Sequence, residues 1–333
     1  SSVQNGNTYD SSAAFSTIQS LVKSSKSPLD YVDDLVDSEF TSGTACKLIV
    51  NVAGPLGLDP RDFDPSDDSD LPIDLVSKIE TSVLSDGSFG SGVLNTTLTC
   101  AIALFVSSGK ISDKTIQYIE KSQSDDGSFN YAGDPSLSDG GADTTGLALE
   151  TLVAAGINRG DVSIDKALRY LANTLSKDGS YLNFGVPDPN STAIGLLGLV
   201  SAGVDVTNRN WRDFYAPNRK SENYTSPVEW LSSQQSQDGH FASPYDSYGL
   251  NTFATSQVTS ALARSWFPIR SLDPLVISSE ESNEITTPSI RVLSESVSSA
   301  ELASKQVRGE LARTGSDARD MTIIAAVILL LGI

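Results

Sequence analysis

Hydrophobic positions in this chain fall into two kinds of segment that alternate along it. In the first kind the apolar residues share one face. Between Ile164 and Ser176 they fall at Ile164, Leu168, Leu171 and Leu175, a one-face helical spacing. In the second kind they run nearly all round, as in DTTGLALETLVAAG (Asp143 to Gly156) and NSTAIGLLGLVSAG (Asn190 to Gly203). Each of these opens on a side chain suited to N-capping and ends in glycine, which predicts a helix with both ends marked. Related copies run over 43–54, 95–109 and 251–264, and 10–26 reads as one more without its partner. The one-face segments have marked starts as well. Ser226-Pro227-Val228-Glu229 is a capping box with proline at the first helical position, and Ser27-Pro28 repeats the theme.

A turn-forming acidic tetrapeptide joins the two kinds, and it occurs five times: Asp37 to Phe40, Asp86 to Phe89, Asp126 to Phe129, Asp178 to Tyr181 and Asp238 to Phe241. Successive copies are 49, 40, 52 and 60 residues apart. Such a period marks one supersecondary unit stacked repeatedly, because a single unit cannot bury its own apolar face. Gly87, Gly127, Gly179 and Gly239 take φ > 0 cheaply and reverse the chain, and the following aromatic plugs the gap between helices. The first copy has Glu39 and no glycine and is expected to be the least regular.

A helix apolar on every side must be covered on every side. The simplest arrangement is an inner ring of such segments wrapped by an outer ring of the amphipathic ones. The expected fold is therefore all-α, an α/α toroid of about six inner and five to six outer helices over residues 10–268.

Charge narrows the partners. With 23 Lys and Arg against 42 Asp and Glu the net charge is −19, which repels phosphates and argues against nucleic acid. Cys46 and Cys100, with His240 as the only histidine, cannot build the usual structural zinc sets. No metal or cofactor set is recognised. Both cysteines lie early in apolar helical segments after consecutive turns. Neighbouring helices could join them as a disulfide in an oxidising compartment, or hold them as two buried thiols; the sequence leaves both open.

QSDDGSF (Gln123 to Phe129) and QSQDGHF (Gln235 to Phe241), each before a Thr/Ala-rich inner segment, resemble the prenyltransferase and squalene-cyclase repeat. That superfamily of α/α toroids includes terpenoid cyclases, protein prenyltransferase β subunits, complement thioester domains and cobalamin carriers. The resemblance implies the fold over about Asp10 to Ser265 and says little about activity. The cyclase branch needs a DxDD acid; Asp62, Asp64, Asp67, Asp68 and Asp70 come nearest without matching it, and at 7% aromatic the chain has little to line a carbocation cavity. The prenyltransferase branch needs a zinc set of Asp, Cys and His, whereas His240 sits inside a turn in the place of a serine. The thioester branch needs a CGEQ-like sequence, and Cys46 precedes Lys47 while Cys100 precedes Ala101. A polysaccharide-cleaving toroid would need paired carboxylates, for which Asp143 and Glu150 offer themselves; the plainer reading is a helix cap and an outward, solvated face.

Residues 269–310 turn to Ser, Glu and Thr with no sustained period and read as a spacer. Beyond them stand Leu311-Ala312-Arg313-Thr314-Gly315 and, after five polar or small residues, the apolar run Met321 to Ile333. This order resembles the cell-wall sorting signal of Gram-positive surface proteins, in its class E, LAxTG form. The resemblance implies a sortase and a peptidoglycan precursor as processing partners, cleavage at Thr314–Gly315, and display on the cell wall. Membrane contact is then confined to the C-terminal segment before sorting. The apolar run has 13 residues, short of the roughly 20 that span a bilayer, and no basic tail follows it. A trimmed end would account for both. Residues 1–9 read as a leader left after processing, and 311–333 as the sorting segment.

The expected function is thus a secreted, wall-anchored, non-catalytic binding or adhesion module. Its ligand is a carbohydrate, a hydrophobic small molecule or a corrinoid. The alternatives are a toroid enzyme acting on polysaccharide, less readily a terpenoid-cyclase-like enzyme, and a purely structural surface protein. If the inner helices start at one rim, Asp143, Thr145, Asn190, Thr192, Asn251 and Thr255 converge on a cavity mouth, with helix N-termini adding positive potential. Tyr245 and Tyr248, in the loop before the last inner helix, could close over a ligand.

Overall fold

The computed structural model describes residues 8–9, 26–36, 40–65, 71–137, 139–245, 252–268 and 270–271. All of them belong to one compact unit. The acidic positions Asp37 and Glu39 of the first turn, the segment 10–25, Asn251, Tyr248, the spacer beyond Ser271 and the sorting segment lie outside the described residues.

The described chain is helical, with four two-residue strands. The apolar segments form α2 (Ser42–Leu48, continued by a π-helical turn at Ile49–Ala53 into Gly54–Leu56), α4 (Leu94–Ser108), α6 (Ala142–Ala154), α8 (Pro189–Ser201) and α11 (Thr252–Leu262). The amphipathic segments form α1 (Pro28–Val36), α3 (Leu75–Glu80), α5 (Asp113–Lys121), α7 (Val162–Thr174) and α10 (Pro227–Ser233). A further short helix, α9 (Asn210–Tyr215), lies in the longest interval between turns and packs on α7. β1 (Thr8–Tyr9) pairs in parallel with β4 (Arg270–Ser271), and β2 (Leu182–Asn183) forms a hairpin with β3 (Val186–Pro187).

The apolar helices pack in chain order, α2 on α4, α4 on α6, α6 on α8 and α8 on α11. The amphipathic ones lie against them: α3 on α2 and α4, α5 on α4, α7 on α6, and α10 on α8 and α11. A disulfide, Cys46–Cys100, ties α2 to α4.

The three middle acidic turns are built the same way. The Asp86, Asp126 and Asp178 carboxylates accept from the N–H and hydroxyl of the serine two residues on. In the last copy His240 replaces that serine, and its Nδ1 lies 2.6 Å from Asp238 Oδ1. Phe89, Phe129, Tyr181 and Phe241 are buried, and the backbone N–H of each donates to a threonine hydroxyl on the following apolar helix: Thr97, Thr145, Thr192 and Thr255, at 2.9–3.2 Å. An N–H buried there without a partner would cost about 1–3 kcal/mol, which explains the threonine. Gly127 shows why the turn needs glycine. Its φ is +93°, and a Cβ there would stand 2.2 Å from the Lys166 carbonyl oxygen on α7 of the next repeat. The glutamine that opens the motif bridges the turn to α7, because Gln123 Nε2 donates to both the Gly127 and the Ser163 carbonyls.

Candidate ligand-binding cavity

A cavity of about 460 Å³ opens among the apolar helices. Lys47, Val50 and Asn51 line it from α2, Asn95, Thr99 and Ile102 from α4, and Asp143, Thr144 and Leu147 from α6. From α8 come Asn190, Ser191, Ile194 and Leu197, and from α11 Phe253, Gln257 and Ser260. Asn183 reaches it from β2, Tyr131, Asp188 and Tyr245 from loops, and Ser265 and Phe267 from the segment after α11. The volume is that of a small-ligand pocket, with apolar walls and a few converging polar groups.

The expected rim residues divide. Asp143, Asn190 and Tyr245 line the cavity. Thr145, Thr192 and Thr255, expected beside them, face the turns instead, with their hydroxyls committed to the aromatic N–H groups described above. The helical period accounts for the division. Residues two apart on a helix point about 200° apart, so Asp143 and Thr145, or Asn190 and Thr192, cannot face one lumen. Asn251 and Tyr248 lie outside the described residues.

Nor do Asp143 and Asn190 cap their helices. The N-cap of α8 is Asp188, whose side chain accepts from the Ser191 N–H with Pro189 at the first position, and that of α6 is Gly141. Released from capping, Asn190 presents a buried Oδ1 with no hydrogen-bond partner. On the neighbouring α11, Gln257 Oε1 is in the same condition.

Asp143 accepts from the Thr144 N–H. Its side chain reaches solvent through the cavity, yet protein surrounds it on most sides. That desolvation raises its pKa above the ordinary carboxylate value, and the Asp188 charge adds to the rise while the Thr144 N–H opposes it. Asp188 itself is fully buried, and both of its oxygens are occupied: Oδ2 by the Ser191 N–H and hydroxyl, Oδ1 by the Ser243 hydroxyl at 2.6 Å.

No family model matches this chain, and no curated protein matches it in sequence.

Glu150, read from the sequence as an outward, solvated residue, is fully buried on α6 and is not part of the cavity wall. Its Oε2 accepts from the Phe267 N–H at 2.5 Å, and its Oε1 has no partner. Desolvation pushes its pKa up to about 8, with the Phe267 N–H pulling the other way. Seven residues separate it from Asp143, about 10.5 Å along the helix. The two do not form a carboxylate pair facing one substrate bond. Asp62 and Asp64 lie outside the cavity wall, and among the described residues no group of three His, Cys, Asp or Glu side chains could hold a metal ion.

Sequence reasoning missed Lys47, Asn51, Asn95, Tyr131, Asn183, Asp188 and Gln257 as cavity residues. Asp188 carried a usable signal, an acidic cap immediately before proline at the first helical position. The others are scattered because each helix gives the lumen about one residue per turn.

Proposed function

We propose that this chain is a wall-displayed α/α toroid of prenyltransferase/squalene-cyclase-type repeats whose axial cavity captures a saccharide. Apolar helices packed in chain order and backed by amphipathic ones are what a closed double ring requires. The ligand reading rests on one observation above all: the side chains of Asn51, Asn95, Asp143, Asn190 and Gln257 share the cavity wall with the apolar Ile102, Leu147 and Leu197. Filling it with a purely hydrophobic molecule would desolvate polar groups there without giving them partners, at about 1–3 kcal/mol each. Ligand hydroxyls would satisfy them. Asp143 is an acceptor among them, and the two carboxylates there disfavour an anionic ligand. Tyr131 and Tyr245 add aromatic rings to the lining, of the kind that pack on a sugar's C–H surface.

The polysaccharide-cleaving alternative would need a second available carboxylate opposite Asp143, and Asp188 has both oxygens engaged. Titrating neutral mono- and oligosaccharides, a hydrophobic probe and cobalamin against the protein by calorimetry tests the reading. Saccharide binding is expected, with a loss of about tenfold or more in Asn190→Ala and Gln257→Ala. Binding of the hydrophobic probe or cobalamin with no response to any saccharide would refute it.

Wall display rests on the Leu311–Gly315 pentapeptide and the apolar run behind it, and the Cys46–Cys100 disulfide suits an oxidising exterior. Among the described residues no helix is long and apolar enough to cross a membrane. Mass analysis of wall-digested material is expected to find a cross-bridge peptide on Thr314. Recovery of the mature chain with an unmodified residue beyond Gly315 would exclude sorting.

A further inference from the structure

The β2–β3 hairpin stands beside the cavity mouth, where Asn183 and Tyr245 line the opening. Its strands pair Asn183 with Val186, leaving Phe184 and Gly185 as the two turn residues, with φ of 45° and 82°. Positive φ at both positions is the turn for which Asn-Gly is preferred, and a bulky side chain at the first is costly. Phe184 gains little burial in return, since it is 89% exposed. Its ring meets Tyr245 edge-on, with centroids 5.8 Å apart. Tyr245 is itself fixed: its hydroxyl donates to the Asn183 carbonyl at 3.0 Å, and its N–H donates to Ser243, whose hydroxyl donates to Asp188. A chain of hydrogen bonds thus runs from Asp188 in the cavity wall to the Asn183 carbonyl, the residue before the strained, solvent-facing Phe184. Strain of this kind persists where the surroundings enforce it, and it gathers at ligand clamps.

We propose that Phe184 is a stacking platform outside the cavity that holds the second sugar ring of an oligosaccharide whose first ring occupies the lumen, so that it sets the preference for oligomers over monomers. The inference rests on the saccharide reading above. The occupant follows from continuity: Tyr245 has its side chain both in the cavity lining and against Phe184, so a chain leaving the mouth past Tyr245 meets the Phe184 ring next.

The test compares wild type with Phe184→Ala, Phe184→Asn and Phe184→Trp, measuring affinity for a monosaccharide and its oligomers alongside thermal unfolding and gel filtration. Phe184→Ala and Phe184→Asn are expected to bind the oligomer about tenfold more weakly and the monosaccharide unchanged. Phe184→Trp is expected to retain oligomer binding. Because asparagine tolerates the left-handed region, Phe184→Asn should also raise the melting temperature while lowering affinity, a combination that a purely structural residue would not give. Equal oligomer affinity in wild type and Phe184→Ala overturns the platform and leaves the cavity reading intact, as does an effect confined to self-association. Failure of wild type to bind any saccharide overturns both.

Discussion

Raising the pH from about 5 to about 9 is expected to cost this protein about 4 kcal/mol of stability, and Glu150→Gln is expected to remove most of that loss. The cause is the sealed site of Glu150. Its carboxyl titrates near pH 8 in the folded protein, against an ordinary value of 4.5. Between those two values the unfolded chain has released its proton while the folded one retains it. Folding therefore takes up a proton, and stability falls by about 1.4 kcal/mol per pH unit. The contribution is fully present below pH 4.5 and lost as pH rises through 8. Full burial leaves no solvent screening to discount the effect. The carboxylates with lowered pKa values, among them Asp86, Asp134, Asp205 and Asp238, act with the opposite sign and only in acid, so the two windows are separate.

Urea unfolding at three pH values across that range decides it. Wild type should lose its midpoint steadily with pH, while Glu150→Gln, uncharged throughout and able to keep the Phe267 N–H as donor to its carbonyl, should stay nearly flat. Parallel profiles would show that Glu150 is not the titrating group. Among the described residues an ionised Glu150 has one N–H and no cation to compensate it, so its cost is that of a buried unpaired charge. Phe267 lies in the cavity wall, and the Glu150 contact is what holds its backbone against α6.

Glu150 also shows how the sequence can be read too blandly. A segment apolar on all sides has no solvated face, so a lone glutamate within it belongs inside; treating it as an ordinary surface charge set aside the reasoning that made the helix an enclosed one. The turns were legible because their chemistry is local. An aspartate that hydrogen-bonds two residues on, a glycine with positive φ and an aromatic after it specify one backbone path. Thr145 and Thr192 were legible as a recurring position but not in their role, since their partner is an N–H that only the folded turn brings near. Phe184 carried no sequence signal, because its meaning lies in a strained φ and in the neighbourhood of Tyr245, 61 residues away along the chain.

Gly146→Ala is expected to destabilise the protein by about 3 kcal/mol or more, against the roughly 1 kcal/mol that alanine would gain in helix propensity. The reason is the crossing of α6 and α8. A Cβ at Gly146 would lie 2.2 Å from the Ile194 carbonyl oxygen, and one at Gly198 would lie 2.5 Å from the Gly146 Cα. Backbone meets backbone there, and no side-chain rotation relieves the clash; the helices must separate. Gly43→Ala is the control. Its Cβ would meet nothing closer than 3.6 Å, so the change should be neutral or slightly stabilising. The crossing also sets the width of the cavity, because Asp143 and Leu147 flank Gly146 while Asn190 and Ile194 sit on the helix it touches. Gly146→Ala protein that remains folded should therefore bind saccharide more weakly, although the substituted residue faces away from the lumen. A variant as stable as wild type with unchanged affinity would mean that α6 and α8 do not approach this closely, and the cavity described above would lose the contact that defines its shape.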